Sequence, residues 1–324
     1  MLARLAEDLY WAGRVLERLQ HTARVLDVTT DTVMTSPTTE EHDAWQRALA
    51  TLELEHAYRQ QHDDIVAGAV EYYCVIDPDN PGSVGSLVRG LRENVRRARE
   101  LVSSEFWESV NELYLRFFRQ DVKRDLDAHP GQLFALVKMS AQTVVGVAAE
   151  TMSRDETTLF FELGMHMERA GTTIRVLGTQ GAALLEESQS GMEAWSPVLR
   201  ICAAREAFVR SGRTADEIGI VGLLLFSAIF PRSVRYSVVG ADDHVRTLVG
   251  DEPSPIGRLL GRLRATLDYG DAEEVVATGL ASTAAELESE LRLVHREIAT
   301  RFFHHAADAE LHVHEVRALE AWAR

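Results

Sequence analysis

Gly13–Leu26, GRVLERLQHTARVL, returns as Gly164–Leu177, GMHMERAGTTIRVL, at a constant offset of 151 residues (164 − 13, 168 − 17 and 175 − 24). Seven of the fourteen positions are identical: Gly13/Gly164, Glu17/Glu168, Arg18/Arg169, Thr22/Thr173, Arg24/Arg175, Val25/Val176 and Leu26/Leu177. Self-similarity at a fixed spacing predicts a chain assembled from two related parts. Around the first copy, Leu2, Leu5, Leu9, Ala12, Leu16, Leu19, Ala23 and Leu26 step alternately by three and four residues. That is the seam of a helix that buries one stripe. In the second copy the seam stays apolar but changes identity (Phe160, Leu163, Met167, Ala170, Ile174), as volume-tolerant packing permits. Glu17 and Arg24 lie two turns apart on another face, with Gly13 one turn before Glu17. Most of what is repeated identically is therefore polar or glycine. Such a face is either a buried ion-pair layer or a functional surface, because a solvated face is free to drift.

The rest of the chain reads as helices of 3.5 to 3.6 periodicity, and no strand alternation is convincing. The first helix is expected to reach about Val33 and stop in the polar run Thr35–Thr39. A second helix is expected from about Glu41 to Tyr73, with Ala44, Ala48, Leu52 and 65–70 inward. Asp77-Pro78-Asp79-Asn80-Pro81-Gly82 is a turn cluster, and Ser83 the N-cap of the helix after it. Ser104 is expected to cap an aromatic-rich helix, His129-Pro130-Gly131 to break the chain before a helix over 133–151, and Ser153–Glu156 to form a capping box. Gly178–Gly191 reads as a loop or frayed turn, Ser196-Pro197 as a helix start, and Thr214 as the cap of a buried helix ending at Phe230. Pro231-Arg232-Ser233-Val234 aligns with Pro81-Gly82-Ser83-Val84 at an offset of 150. A helix from Ser233, a break at Pro253-Ser254-Pro255, a helix to Leu267 and one long helix from about Ala272 to Trp322 complete the chain. The expected architecture is all-α: a multi-helix bundle of two pseudo-equivalent halves, 1–152 and 153–324, packed as a single domain without a linker.

With 324 residues and 46% hydrophobic content, the chain has material for a substantial core. Fifty acidic against 34 basic residues give a net charge of −16, which repels phosphate backbones and argues against a nucleic-acid partner. Cys74 and Cys202 sit in apolar contexts without metal-ligand spacing, the pattern of buried thiols in a reducing compartment. Met1-Leu2 runs directly into the seam, so no signal peptide is expected. The apolar run Ile218–Phe230 is too short to span a bilayer. These features predict a cytoplasmic protein with no membrane association.

Adjacent Glu17 and Arg18 point about 100° apart on a helix and cannot pair with each other. Packing of the two copies would let Glu17 meet Arg169 or Arg175 and Glu168 meet Arg18 or Arg24, with Gly13 and Gly164 allowing close approach. Three readings of these six residues follow: a buried pair layer that fixes registry, a cleft whose arginines hold an anion such as a peptide carboxylate, or acid–base chemistry at Glu17 and Glu168. The loop residues Asp77, Asn80 and Ser83, facing Arg232 and Ser233, form a second candidate group: two capped helix N-termini that could receive an anion, or turn chemistry alone. His295, His304, His305, His312 and His314 crowd the last segment beside Glu297, Asp308 and Glu315. A di-iron bundle requires two Glu-x-x-His pairs, and only Glu53-x-x-His56 occurs. No metal site and no cofactor are predicted.

The opening MLARLAEDLYWAGRVLERLQHTARVLDV with its Glu17-Arg18 pair, the segment Asn80–Asn111 and FPRSVRYS (Phe230–Ser237) together resemble the Alpha-E family, predicted all-helical proteins named for an ER motif. The likeness spans nearly the whole chain. One departure is Ser227-Ala228, which stands where the first half has the Asp77-Pro78 that family members often keep. The resemblance implies an accessory role, because such proteins are often encoded beside circularly permuted ATP-grasp ligases and transglutaminase-like proteins. The expected function is a non-ATP-binding partner subunit that binds a peptide or amino-acid substrate for an ATP-grasp-type amide ligase. The alternatives are a stand-alone enzyme using Glu17 and Glu168, and a structural scaffold that forms a homo-oligomer.

Overall fold

The structure is a computed structural model describing residues 1–35, 41–119, 121–250 and 253–303. Among the described residues every element is a helix. In chain order they are α1 (Ala3–Thr35), α2 (Glu41–Thr51), α3 (Glu55–Arg59), α4 (Ala67–Val75), α5 (Val84–Arg97), α6 (Ser104–Arg119), α7 (Val122–Ala128), α8 (Pro130–Thr151) and α9 (Glu156–Val176). A π-helical turn (Leu177–Gly181) leads into α10 (Ala182–Glu186), α11 (Gly191–Ala194), α12 (Ser196–Ile201), α13 (Arg205–Ser211), α14 (Glu217–Phe226), α15 (Val234–Val249), α16 (Pro255–Tyr269), α17 (Ala272–Thr278) and α18 (Leu280–Phe302).

The two helices that carry the repeated stretch, α1 and α9, pack along each other more extensively than any other pair. Their seams are core: Leu9, Ala12, Leu16, Leu19, Ala23 and Leu26 are fully buried, as are Leu163 and, nearly so, Met167, Ala170 and Ile174. The seam ends before the first turn, where Leu2 is exposed. Around α1 stand α5 and α8, with α6 touching both; around α9 stand α15 and α18, with α16 touching both. One contiguous apolar cluster runs from Ala6 to Phe303. Gly13 and Gly164 mark the closest approach. A Cβ on Gly13 would lie 2.0 Å from the Phe161 carbonyl oxygen, and one on Gly164 would lie 2.0 Å from that of Tyr10. No side chain fits at either position, so the glycines set the interhelical distance.

Several boundaries differ from the sequence reading. The helix expected over 41–73 is three helices, because Glu53 takes a left-handed φ of 58° and ends α2, and α3 stops at Arg59. The expected long terminal helix breaks at Gly279, φ 120°, between α17 and α18; its continuation beyond Phe303, with His304, His305, His312 and His314, lies outside the described residues. Ser103, one position before the expected Ser104, accepts the Phe106 N–H. Asp155 caps α9 through the Thr157 N–H in place of a capping box, and Asp216, not Thr214, caps α14. That helix stops at Phe226, short of Phe230. The 178–191 stretch opens as a π-helical turn and a short helix. Among the described residues one helix, α8, is long and apolar enough to cross a bilayer, a candidate the sequence reading passed over. Its Leu133, Phe134, Val137, Ala141, Val144 and Ala148 are buried in this fold, which packs it against α1 and α6.

Candidate functional site

Glu17 and Glu168 have fully buried side chains, and each is held by arginines from the opposite side of the α1/α9 contact. Arg18 clamps Glu168 in two-point fashion, Nε to Oε1 at 2.7 Å and Nη2 to Oε2 at 3.1 Å. Arg169 donates Nε and Nη2 to Glu17 Oε2 at 3.1 and 2.8 Å. The exchange is reciprocal: each Glu-Arg neighbour pair, unable to bond internally, sends its two members to the other helix. Arg24 does not reach Glu168. Its Nη2 donates to Gln20 Oε1 at 3.2 Å instead. Arg175 lies 3.6 Å from Glu168 and also meets Glu53 at 3.1 Å and Glu288 at 3.4 Å.

Each carboxylate has a second close guanidinium, and the two come from different places. At Glu17 it is Arg232, from the loop before α15, at 2.5 Å. At Glu168 it is Arg14, from α1 itself, at 2.7 Å. The residue 151 positions after Arg14 is Met165, and the residue 150 positions before Arg232 is Gly82. A cation thus moves from loop to helix between the two sites, while the loop position shrinks to glycine. Ser83 and Ser233, which follow, have the same extended backbone (φ −65°, ψ 150° and φ −72°, ψ 151°), and each caps its helix through the N–H three residues on. The space that Arg232 fills on one side is open on the other.

That opening is a cavity of about 540 Å³ lined by Arg14, Arg18, His21, Glu53, Asn80, Gly82, Arg175, Glu288 and His295, with Trp11, Tyr73, Leu291 and Phe303 as apolar wall and Arg292 and Arg296 also lining it. Tyr10 and His295 are joined, hydroxyl to Nδ1, at 2.9 Å. Burial, reinforced by Arg175, Arg232 and Arg24, pulls His21 down to about 3, and burial with Arg14 does the same to His295. Both imidazoles are neutral, and His21 Nε2 has no hydrogen-bond partner. Burial alone would raise Glu17, but Arg232 and Arg169 together overcome it and hold the carboxyl down at about 2. Glu168 is held lower still, by Arg18 and Arg14 against burial. Neither carboxylate takes up a proton near neutral pH or touches solvent, so the arrangement gives acid–base chemistry at Glu17 or Glu168 no access to a substrate.

The loop candidates do local work. Asp77 accepts the Asp79 N–H, and Asn80, fully buried, accepts the Gly82 N–H while donating to the Tyr73 carbonyl. Ser227, at the departure from Asp77-Pro78, accepts the N–H groups of Ile229 and Phe230, so the loop keeps a side-chain turn there. Arg232 alone crosses from the loop group into the layer. Arg14, Glu53 and Glu288 are site residues the sequence reading missed. Arg14 had one visible signal, an arginine against a methionine immediately after the repeated glycine. Among the described residues no three His, Cys, Asp or Glu converge as metal ligands, and Cys74 and Cys202 are free and buried.

No solved structure matches the chain. The uncharacterized proteins Mb2597 of Mycobacterium bovis and Rv2567 of Mycobacterium tuberculosis are each 26% identical over 328 residues, covering 91% of this chain. The chain spans only about a third (36%) of the length of these relatives. A family model described as "a predicted alpha-helical domain with a conserved ER motif" matches residues 1–303, and the Glu-Arg pairs Glu17-Arg18 and Glu168-Arg169 are the residues that exchange partners across α1 and α9. The chain belongs to the Alpha-E family.

Proposed function

We propose that this chain is a substrate-binding subunit. Its cavity takes an amino-acid-like or peptide ligand and presents it to an ATP-grasp-type amide ligase, which supplies nucleotide binding and carboxylate activation. The observation that carries the reading is the cavity over the Glu168 cluster: guanidinium and carboxylate groups interleave there, with Arg175 ion-paired to both Glu53 and Glu288, and Trp11, Leu291 and Phe303 add apolar lining. Interleaved charges of both signs suit a zwitterion, and arginine forks suit its carboxylate. The ligase as partner comes from the family resemblance. It accords with relatives that carry this stretch within chains about three times as long. The same reading treats the chain as two pseudo-equivalent halves, one with a filled site and one with an open site, and places its work in a reducing compartment such as the cytoplasm, where free thiols persist.

The test is calorimetric titration with the dipeptide Ala-Phe and with its C-terminal amide. The free acid is expected to bind at least tenfold tighter, about 1.4 kcal/mol. Arg296→Gln, at an exposed position, is expected to remove that preference while leaving the melting temperature unchanged. Equal binding of acid and amide, or no binding of either, refutes the substrate class. Co-purification with an ATP-grasp ligase identified by mass tests the partner separately.

A further inference from the structure

The Glu17 side of the layer holds more positive charge than its carboxylate balances. Arg169 and Arg232 both form ion pairs with Glu17. Arg24, two turns farther along α1, is only 6% exposed; its Nη1 is buried without a hydrogen-bond partner, and no carboxylate of the described residues forms an ion pair with it. Burial and the neighbouring Arg232 pull its pKa down to about 9. Its counterpart Arg175 has Glu53 and Glu288.

The positions corresponding to those two acids are Ala203 and Lys138, each 150 residues away. Glu53 and Ala203 make the same turn: φ is 58° and 50°, and the next N–H bonds back to Leu49 O at 2.9 Å and to Leu199 O at 2.7 Å. Glu288 and Lys138 occupy the same turn of α18 and α8, each following a buried residue (Leu287, Val137) and preceding another by three positions (Leu291, Ala141). Where Arg175 meets two acids, Arg24 faces an alanine and a lysine. Arg24, Lys138 and Ala203 line an open groove of about 710 Å³ together with Arg200 and Arg205 and with the carboxylates Asp27 and Glu206. Asp27 holds Lys138 at 2.5 Å and Asp31 holds Arg200 at 2.6 Å, which leaves Arg24 as the buried cation with no ion-paired acid among the described residues and only the longer-range pull of Glu17.

We propose that this groove is a binding site for an oxyanion, a phosphate or carboxylate group that takes at Arg24 the place Glu53 and Glu288 take at Arg175. A desolvated guanidinium with an idle donor gains more from such an anion than a solvated one does. The site is separate from the cavity on the Glu168 side, and its failure would leave the proposed ligand of that cavity untouched.

The experiment is thermal melting of the full chain in inorganic phosphate, in acetate and in chloride at matched ionic strength. The wild type is expected to gain several degrees in phosphate or acetate over chloride, and the arm that gives the larger gain names the anion. Ala203→Glu supplies the missing acid at a turn that already accepts glutamate at position 53. It is expected to raise the melting temperature in chloride and to abolish the gain from phosphate and acetate. Arg24→Met is expected to lose the gain as well, and Ala203→Glu decides the matter if that variant does not fold. An equal melting temperature of the wild type in all three salts, or an Ala203→Glu protein that is destabilised or still gains in phosphate, overturns the proposal.

Discussion

At the scale of single residues, burial, reinforced by the arginines of the α1/α9 layer, fixes the charge state of the imidazoles beside it. His21, His166 and His295 are each held near 3, first by burial and then by neighbouring arginines, against an ordinary value of 6.5. A folded-state pKa below the unfolded one means that the unfolded chain binds the proton first. Stability is therefore complete above about pH 6.5 and is lost as pH falls toward 3, by up to about 1.4 kcal/mol per pH unit for each histidine. Glu17, held at about 2 against 4.5, has the opposite charge but the same direction: its contribution is present above 4.5 and lost only between about 4.5 and 2. The histidines come first. Melting temperature is expected to fall steeply from pH 6.5 to 4.5, and His21→Asn, which removes one titrating group, is expected to flatten that slope whatever it does to stability at pH 7. An unchanged slope in the variant would place the pH dependence elsewhere.

At the scale of elements, the crossing of α1 and α9 depends on two glycines whose absent side chains would strike backbone carbonyls. Gly13→Ala or Gly164→Ala forces the helices apart and is expected to cost at least about 2 kcal/mol, because a carbonyl on a packed helix cannot step aside as a flexible side chain can. Gly68 and Gly146 are helical too, but a Cβ there meets nothing within 4 Å. Alanine at either is expected to be neutral or to stabilise by about 0.5–1 kcal/mol. Denaturant melts of the four variants measure the difference, and similar values across all four would mean that the crossing is not set by the glycines. This part of the fold was legible from sequence because the seam and the glycines repeat within one helix each. The caps were legible where one residue could serve, as at Ser83 and Ser233. They were misplaced where neighbours compete, as at Ser103/Ser104 and Thr214/Asp216, since the backbone angles that choose between them are not written in residue type. Glu53 hid the end of α2 for the same reason: a non-glycine residue gives no sign that it will take a positive φ.

At the scale of the whole molecule, what stayed illegible is which cation serves which carboxylate. The pairing of Arg18 with Glu168 and Arg169 with Glu17 was readable from the two similar stretches as one of two alternatives for each glutamate, because adjacent Glu and Arg cannot pair with each other. Arg232 on Glu17 joins residues 215 positions apart (232 − 17) through a loop whose course depends on all the helices between them. The two differences, Arg14 for Met165 and Gly82 for Arg232, are uninformative singly and become an exchange only when both are seen around buried carboxylates. That exchange predicts a coupling. Arg14→Met strips one cation from fully buried Glu168 and is expected to destabilise by about 3–5 kcal/mol. Gly82→Arg adds a guanidinium beside Arg14 and Arg18, which already neutralise Glu168, and presses on Leu54, whose Cδ2 would lie 3.0 Å from the new Cβ, and is expected to destabilise as well. Combined, the two changes rebuild on Glu168 what Arg232 builds on Glu17. The double variant is expected to be more stable than the sum of the singles allows by at least about 2 kcal/mol, well beyond the additivity of independent sites. The same protein is expected to have lost the cavity: Trp11, which lines it, should be quenched less by acrylamide than in Arg14→Met alone. Additive losses would mean that an arginine at position 82 does not reach Glu168, and unchanged quenching would mean that the cavity does not depend on the missing side chain.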